Sequence, residues 1–166
     1  KSRYLHIAGI ICFLGLSVFL TFNRHSKSGR FNYHSEIWAD KAGYYVYLPA
    51  IKFKFAPDNF PDSIDTKTGN GFKLDYENKK VLTKYTCGVA LMQLPFYFLA
   101  DILAKPLHFE ASGFSPVYHW SINIASVFYL TLGLIFLIKY LRKYFSTKTS
   151  VLAILSLFLG TNLYYY

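Results

Sequence analysis

One acid stands out for its setting. Asp40 lies in Trp38-Ala39-Asp40-Lys41-Ala42-Gly43-Tyr44-Tyr45, just beyond the first apolar run and at the start of an aromatic stretch. A membrane-dissolved substrate can meet a water-soluble one there, and a carboxylate whose pKa is lifted by partial burial can act as a general base. The ordinary alternative is a helix-start Asp favoured by the backbone dipole. Glu36 precedes Asp40 by four residues, on the same face if the stretch is helical, so the two could share acid-base work or a divalent cation; a solvated acidic face is the plainer reading. His34 is nearby but lacks a second ligand at metal-site spacing. Asp58, Asp62 and Asp65 fit no calcium-loop pattern. Lys84, ahead of a later apolar helix, is placed to hold a lipid phosphate, or alternatively to snorkel among headgroups. Gly-rich phosphate loops, Ser/His/Asp signatures and Cys/His clusters are missing from the sequence, and Cys12 and Cys87 read as free thiols.

The elements that must position these residues are set by composition. Of 166 residues, 53% are hydrophobic and 20% aromatic, against 16% charged, which points to the membrane class rather than to a disordered chain or an ordinary soluble domain. The net charge of +9 is not gathered into runs longer than two bases but flanks apolar segments, which favours anionic lipid or phosphate over nucleic acid as partner.

Tyr4 to Phe22 carries no Asp, Glu, Lys or Arg and is long enough to span a bilayer; the absence of a small-residue cleavage pattern after it argues against a signal peptide. A second uncharged run goes from Trp120 to Ile138, and a third starts near Val151. The connection between the last two holds Lys139, Arg142, Lys143 and Lys148 without an acid, so the positive-inside rule puts it, and the N-terminus with Lys1 and Arg3, in the cytoplasm. Parity then requires that Cys87 to Leu103 not cross. Gln93, Tyr97, Asp101 and Lys105 recur every four residues as a polar stripe, and Pro95 interrupts the run. A charged Asp101 facing lipid would cost at least about 2.5 kcal/mol near the bilayer centre, so this segment reads as a juxtamembrane or re-entrant helix. The alternative is a true span whose stripe faces a helix bundle.

The resulting expectation is an all-α integral membrane protein with three transmembrane helices, a fragment of a larger polytopic chain. Residues 1–22 form the first span, 23–116 a long extracytoplasmic loop, 117–140 the second span, 141–149 a cytoplasmic loop and 150–166 a truncated third span. Two juxtamembrane helices, about 35–48 and 86–104, lie in the long loop. The first is ended by Pro49, and its Trp38, Tyr44, Tyr45 and Tyr47 suit a headgroup interface. Gly71 to Tyr76 and Lys80 to Tyr85 suggest a small β-hairpin about 77–79. The lack of an Asn-X-Ser/Thr sequon leans toward a bacterial source.

The order of parts resembles the N-terminal third of a bacterial GT-C superfamily glycosyltransferase, which uses polyprenyl-phosphate sugars, and is similar to an uncharacterised membrane-protein family of Bacteroidetes-type bacteria. The resemblance rests on Ala39-Asp40-Lys41-Ala42-Gly43-Tyr44-Tyr45-Val46-Tyr47-Leu48-Pro49 in a first outer loop, on Lys84-Tyr85-Thr86-Cys87-Gly88 opening a juxtamembrane helix, and on spans ending near Lys139-Tyr140-Leu141-Arg142-Lys143 and Gly160-Thr161-Asn162. It implies an inner-membrane, multi-pass enzyme with a cytoplasmic N-terminus. Asp40 would be the base that deprotonates the acceptor hydroxyl, Lys84 would contact donor phosphate, and Tyr44 and Tyr45 would wall the sugar or lipid pocket, with Glu36 and His34 close by. Many members carry a second acid directly after the base; Lys41 follows here, which argues against a paired-carboxylate or metal role. No cofactor is implied, and a divalent metal stays open. The implied partners are membrane lipids and a polyprenyl-phosphate sugar, not nucleic acid. A rival expectation from another class is a non-catalytic membrane subunit or transporter component whose aromatic loop docks other membrane-protein subunits.

Overall fold

The computed structural model describes residues 2–23 and 36–161, with side chains described in the first helix from Cys12 to Phe22. The chain is mostly helical and divides into two compact units, residues 1–25 with 123–166, and residues 26–122.

The first unit contains α1 (Ser2–Asn23), most of α6 (Pro116–Leu141) and α7 (Thr147–Gly160). Serines inside these apolar helices satisfy themselves locally: Ser17 donates to the Phe13 carbonyl at 2.8 Å and Ser150 to that of Ser146 at 3.0 Å. Ser146 also caps α7, accepting from the Thr149 N–H. Phe13 and Phe158 meet with ring centroids 4.8 Å apart. Among the described residues one helix, Pro116–Leu141, is long and apolar enough to cross a membrane; Cys12–Phe22, Gly88–Ala104 and Thr147–Gly160 are apolar but shorter. Only 33% of the most apolar window of that long helix is buried within the protein, so most of its apolar surface is left for another apolar medium. The three-span expectation thus has one helix meeting the length and composition criterion.

The second unit strings short elements around an aromatic core. α2 (Asp40–Tyr45), α3 (Tyr47–Lys52), a 3-10 turn (Pro57–Asn59) and α4 (Ile64–Lys67) lead into the hairpin of β1 (Lys73–Asp75) and β2 (Lys80–Leu82), then α5 (Gly88–Ala104) and the first turns of α6. The hairpin pairs Lys73 with Leu82, Leu74 with Val81 and Asp75 with Lys80. Because opposed residues share a face, Leu74 and Val81 turn to the core while Lys73 and Leu82 turn outward. Its turn is held by Asp75, whose carboxylate accepts from the Asn78 N–H and side-chain amide; these bonds hold the Asp75 carboxyl below its usual range. Phe60, Phe72 and Phe114 interlock with centroids 6.3 to 6.4 Å apart.

One expectation is corrected. The stretch about 35–48 is not one helix ended by Pro49. Residues 36–39 are irregular, α2 starts at Asp40, and Val46, itself in helical conformation, stands between α2 and α3. Pro49 is the third residue of α3, where the missing N–H is one the first turn leaves unbonded anyway. The polar stripe of α5 turns into the protein at Tyr97 and, in part, at Gln93 and Asp101, while Lys105, past the helix end, is exposed. Tyr97, Ala100 and Ala104 are buried, and Asp101 accepts from Lys52 and from the Tyr118 hydroxyl, while Leu91, Phe98 and Ile102 face outward. The alanines let α5 lie close against α2 and α3.

Candidate functional site

Asp40 opens α2 immediately after a strained residue. Ala39 has φ 48 and ψ −125, a conformation that costs a non-glycine residue about 1–3 kcal/mol and persists only where surroundings enforce it. The enforcing contacts come from residues 68–71. The Ala39 N–H donates to the Thr68 carbonyl at 2.7 Å, and the Gly43 N–H to the Ala39 carbonyl at 3.2 Å. Gly71 lies so close that a Cβ there would stand 1.8 Å from the Ala39 oxygen, and a Cβ on Gly69 would stand 2.8 Å from the Trp38 ring. Sequence reading singled out neither Gly71 nor Gly43, since a glycine's need for bareness depends on what approaches it.

The segment after β2 completes the site. Thr83 donates its hydroxyl to the Gly43 carbonyl at 2.9 Å, and Tyr47 donates to the Tyr85 carbonyl at 2.5 Å. With its backbone thus fixed, Tyr85 donates its hydroxyl to the Asp40 carboxylate. That bond holds the proton on Tyr85 and raises the phenol above its ordinary range. The Tyr44 ring lies 4.4 Å from that of Tyr85, and the Lys84 ammonium 5.2 Å from the Tyr85 ring centre. Asp40, Tyr44 and Lys84 are therefore gathered about Tyr85, a residue the sequence marks only by its place beside Lys84.

Asp40 is exposed, so the partial burial expected from sequence is not provided by the chain itself. Lys84 sits at a bend four residues ahead of α5. Glu36 is only 3% exposed and pairs with Lys41 at 3.1 Å. It does not share a helical face with Asp40, because the positive φ of Ala39 interrupts the helix between them. The Tyr45 ring points the other way from that of Tyr44. It is buried, donates to the Gly113 carbonyl at 2.5 Å and meets Tyr97 and Phe114 edge-on. Burial pushes the Tyr45 phenol well up, with the Tyr97, Tyr118 and Asp101 side chains adding to the effect. His34 lies outside the described residues.

Comparison with family models, with curated proteins and with solved structures finds no match.

An open cavity of about 600 Å³ adjoins the Asp40 region through Gly71, Thr83 and Lys84; Phe72, Lys73 and Leu82 also line it. Asp65 on its rim is held by backbone, accepting from the Thr66 N–H at 2.8 Å and the Leu74 N–H at 3.3 Å. Among the described residues no three His, Cys, Asp or Glu side chains gather to hold a metal ion.

Proposed function

We propose that this chain is the N-terminal part of an integral membrane glycosyltransferase of the bacterial inner membrane, moving a sugar from a polyprenyl-phosphate donor to an acceptor on the extracytoplasmic side. In this reading α1, α6 and α7 cross the bilayer with the N-terminus in the cytoplasm, and the 26–122 unit lies outside. Asp40 takes the proton of the acceptor hydroxyl, the freed oxygen bonds to the anomeric carbon, and the sugar–phosphate bond breaks with its electron pair leaving on the phosphate, which inverts the centre. Lys84 offers a positive charge to that phosphate, and Tyr44 with Tyr85 forms the aromatic wall. A substrate seated against those rings would supply the water exclusion that the chain alone does not give Asp40. Tyr45 and Glu36 serve the fold.

The observation that carries the reading is the exposed Asp40 carboxylate, which follows a strained Ala39 and accepts from a tyrosine hydroxyl, with no lysine paired to it among the described residues. The test is sugar transfer by the full-length protein. Asp40→Asn, similar in size, is expected to lose about 10²–10⁴-fold in rate with folding unchanged; normal transfer by that variant removes Asp40 from the mechanism.

One observation favours the second reading, a non-catalytic subunit: the stripe of α5 is turned against protein, as a docking scaffold requires. In that case Asp40→Asn leaves every transfer assay unchanged, while changes on the outward face of α5, such as Ile102→Asp, release a partner subunit.

A further inference from the structure

A buried imidazole reaches the segment ahead of Asp40 from 82 positions further along the chain. His119, the fourth residue of α6, is 7% exposed, and its Nδ1 accepts the Ile37 N–H at 3.3 Å. Ile37 is itself buried and lies in the irregular stretch 36–39, three residues before Asp40. With Nδ1 accepting, the neutral ring carries its proton on Nε2. The residues on either side of His119 are anchored too: Tyr118 donates to Asp101, and Trp120 meets Phe109 edge-on with centroids 5.4 Å apart. The irregular stretch is therefore pegged twice, at Ile37 by the imidazole and at Ala39, whose N–H reaches the Thr68 carbonyl at 2.7 Å. Between the pegs the Trp38 carbonyl accepts from the Lys41 N–H at 3.1 Å as α2 begins. A φ of 48 at Ala39 persists only while its surroundings over-determine it, so freeing either side lets it relax toward the ordinary negative range.

We infer that His119 is a positioning residue: by holding Ile37 it keeps the turn at Ala39 strained and the Asp40 carboxylate within reach of the Tyr85 hydroxyl. The inference rests on the proposed function for its consequence in sugar transfer and goes beyond it in making the first turn of α6 part of what aims the carboxylate. His119 acts through the backbone of residues 37–39. A histidine that only filled the core would be replaced equally well by any side chain of similar size, whereas one that holds Ile37 needs an acceptor at the Nδ1 position. Asparagine supplies a carbonyl oxygen there, glutamine supplies one a bond further out near the Nε2 position, and leucine supplies none.

The test uses the purified full-length protein in detergent and three variants, His119→Leu, His119→Gln and His119→Asn, read by amide hydrogen exchange over residues 36–43 and by sugar-transfer kinetics. His119→Leu is expected to speed exchange at Ile37 about tenfold and to lower kcat about tenfold or more with KM little changed. His119→Asn is expected to restore both to near the parent level, and His119→Gln is not. Unchanged exchange and transfer in His119→Leu overturn the inference, as does an equal loss in all three variants, which is the mark of packing alone. Should His119→Leu fail to fold, the contrast between His119→Asn and His119→Gln carries the same decision. The two proposals fail separately. Normal transfer by Asp40→Asn defeats the base assignment, and exchange in the His119 series then decides by itself whether the imidazole holds the turn. Loss of transfer in Asp40→Asn, with normal transfer in His119→Leu, defeats the positioning role and leaves the base standing.

Discussion

The 26–122 unit holds two tyrosine–aspartate pairs of opposite character. In one, Tyr118 donates to Asp101, and Lys52 adds an ion pair while also donating to the Ala111 carbonyl at 2.7 Å. That pair ties α3, α5, α6 and the connector between the last two, beside the buried Tyr45 and Tyr97. In the other, Tyr85 donates to Asp40 at the surface, with no lysine partner among the described residues, beside the strained Ala39. Under the proposed function, the difference separates structure from chemistry. A carboxylate neutralised by lysine and wedged between helices holds elements together; one held by a single phenol and open to water can exchange a proton. Adjacent residues make the division, Tyr44 serving the exposed pair and Tyr45 the interior.

Replacing these neighbours probes the division most strongly. Tyr45→Ala empties a buried aromatic site and is expected to destabilise the unit by about 3–5 kcal/mol, read from a denaturant or thermal midpoint. Tyr44→Ala should move that midpoint by less than about 1 kcal/mol while impairing transfer. Equal effects on stability would erase the distinction. Gly71→Ala is expected next, at roughly 3 kcal/mol, because the new methyl must displace the Ala39 carbonyl. A stable variant with a shifted Asp40 would show that the buttress can yield.

Acid should affect the half-buried pair at Asp101. Burial works to raise the Asp101 carboxyl, but the Lys52 and Tyr118 hydrogen bonds, with charge from Lys52 and Lys105, outweigh it and hold the group below its ordinary 3.8. A depressed native value means that the stabilisation is complete above the unfolded carboxyl range and fades as pH falls through the lowered folded value. Unfolding midpoints below about pH 4 should therefore decline less steeply in Asp101→Asn than in the parent. The smallest structural effect is expected from Tyr85→Phe, which leaves the melting temperature unchanged and lowers transfer about tenfold, a loss that conserved ring contacts with Tyr44 do not prevent.

Several features could be read from residue order. Leu74 alternating with Lys73 and Asp75 specified the hairpin and its inward face, because a period of two has one solution when one side is buried. The uncharged run after Trp120 specified a long apolar helix. The stripe of Gln93, Tyr97 and Asp101 was visible as a stripe, but its target was not, since a polar face can turn toward water, toward a bundle or toward its own unit with the same spacing. The helix break before Asp40 was equally hidden: nothing in Trp38-Ala39-Asp40 asks for a positive φ at alanine.

By itself the sequence determined the apolar class of this protein, the helical periods, the presence of a hairpin and the isolation of Asp40 among aromatic residues, because these follow from local sterics and from which residues water rejects. Tertiary structure alone decided that Tyr44 and Tyr45 part company and that Tyr85 rather than Glu36 partners Asp40. Those outcomes depend on contacts between residues distant in the chain, 40 positions for Thr83 with Gly43, 45 for Tyr85 with Asp40 and 68 for Tyr45 with Gly113, where close approach at Gly43 and Gly71 selects among arrangements that local preferences leave nearly equal.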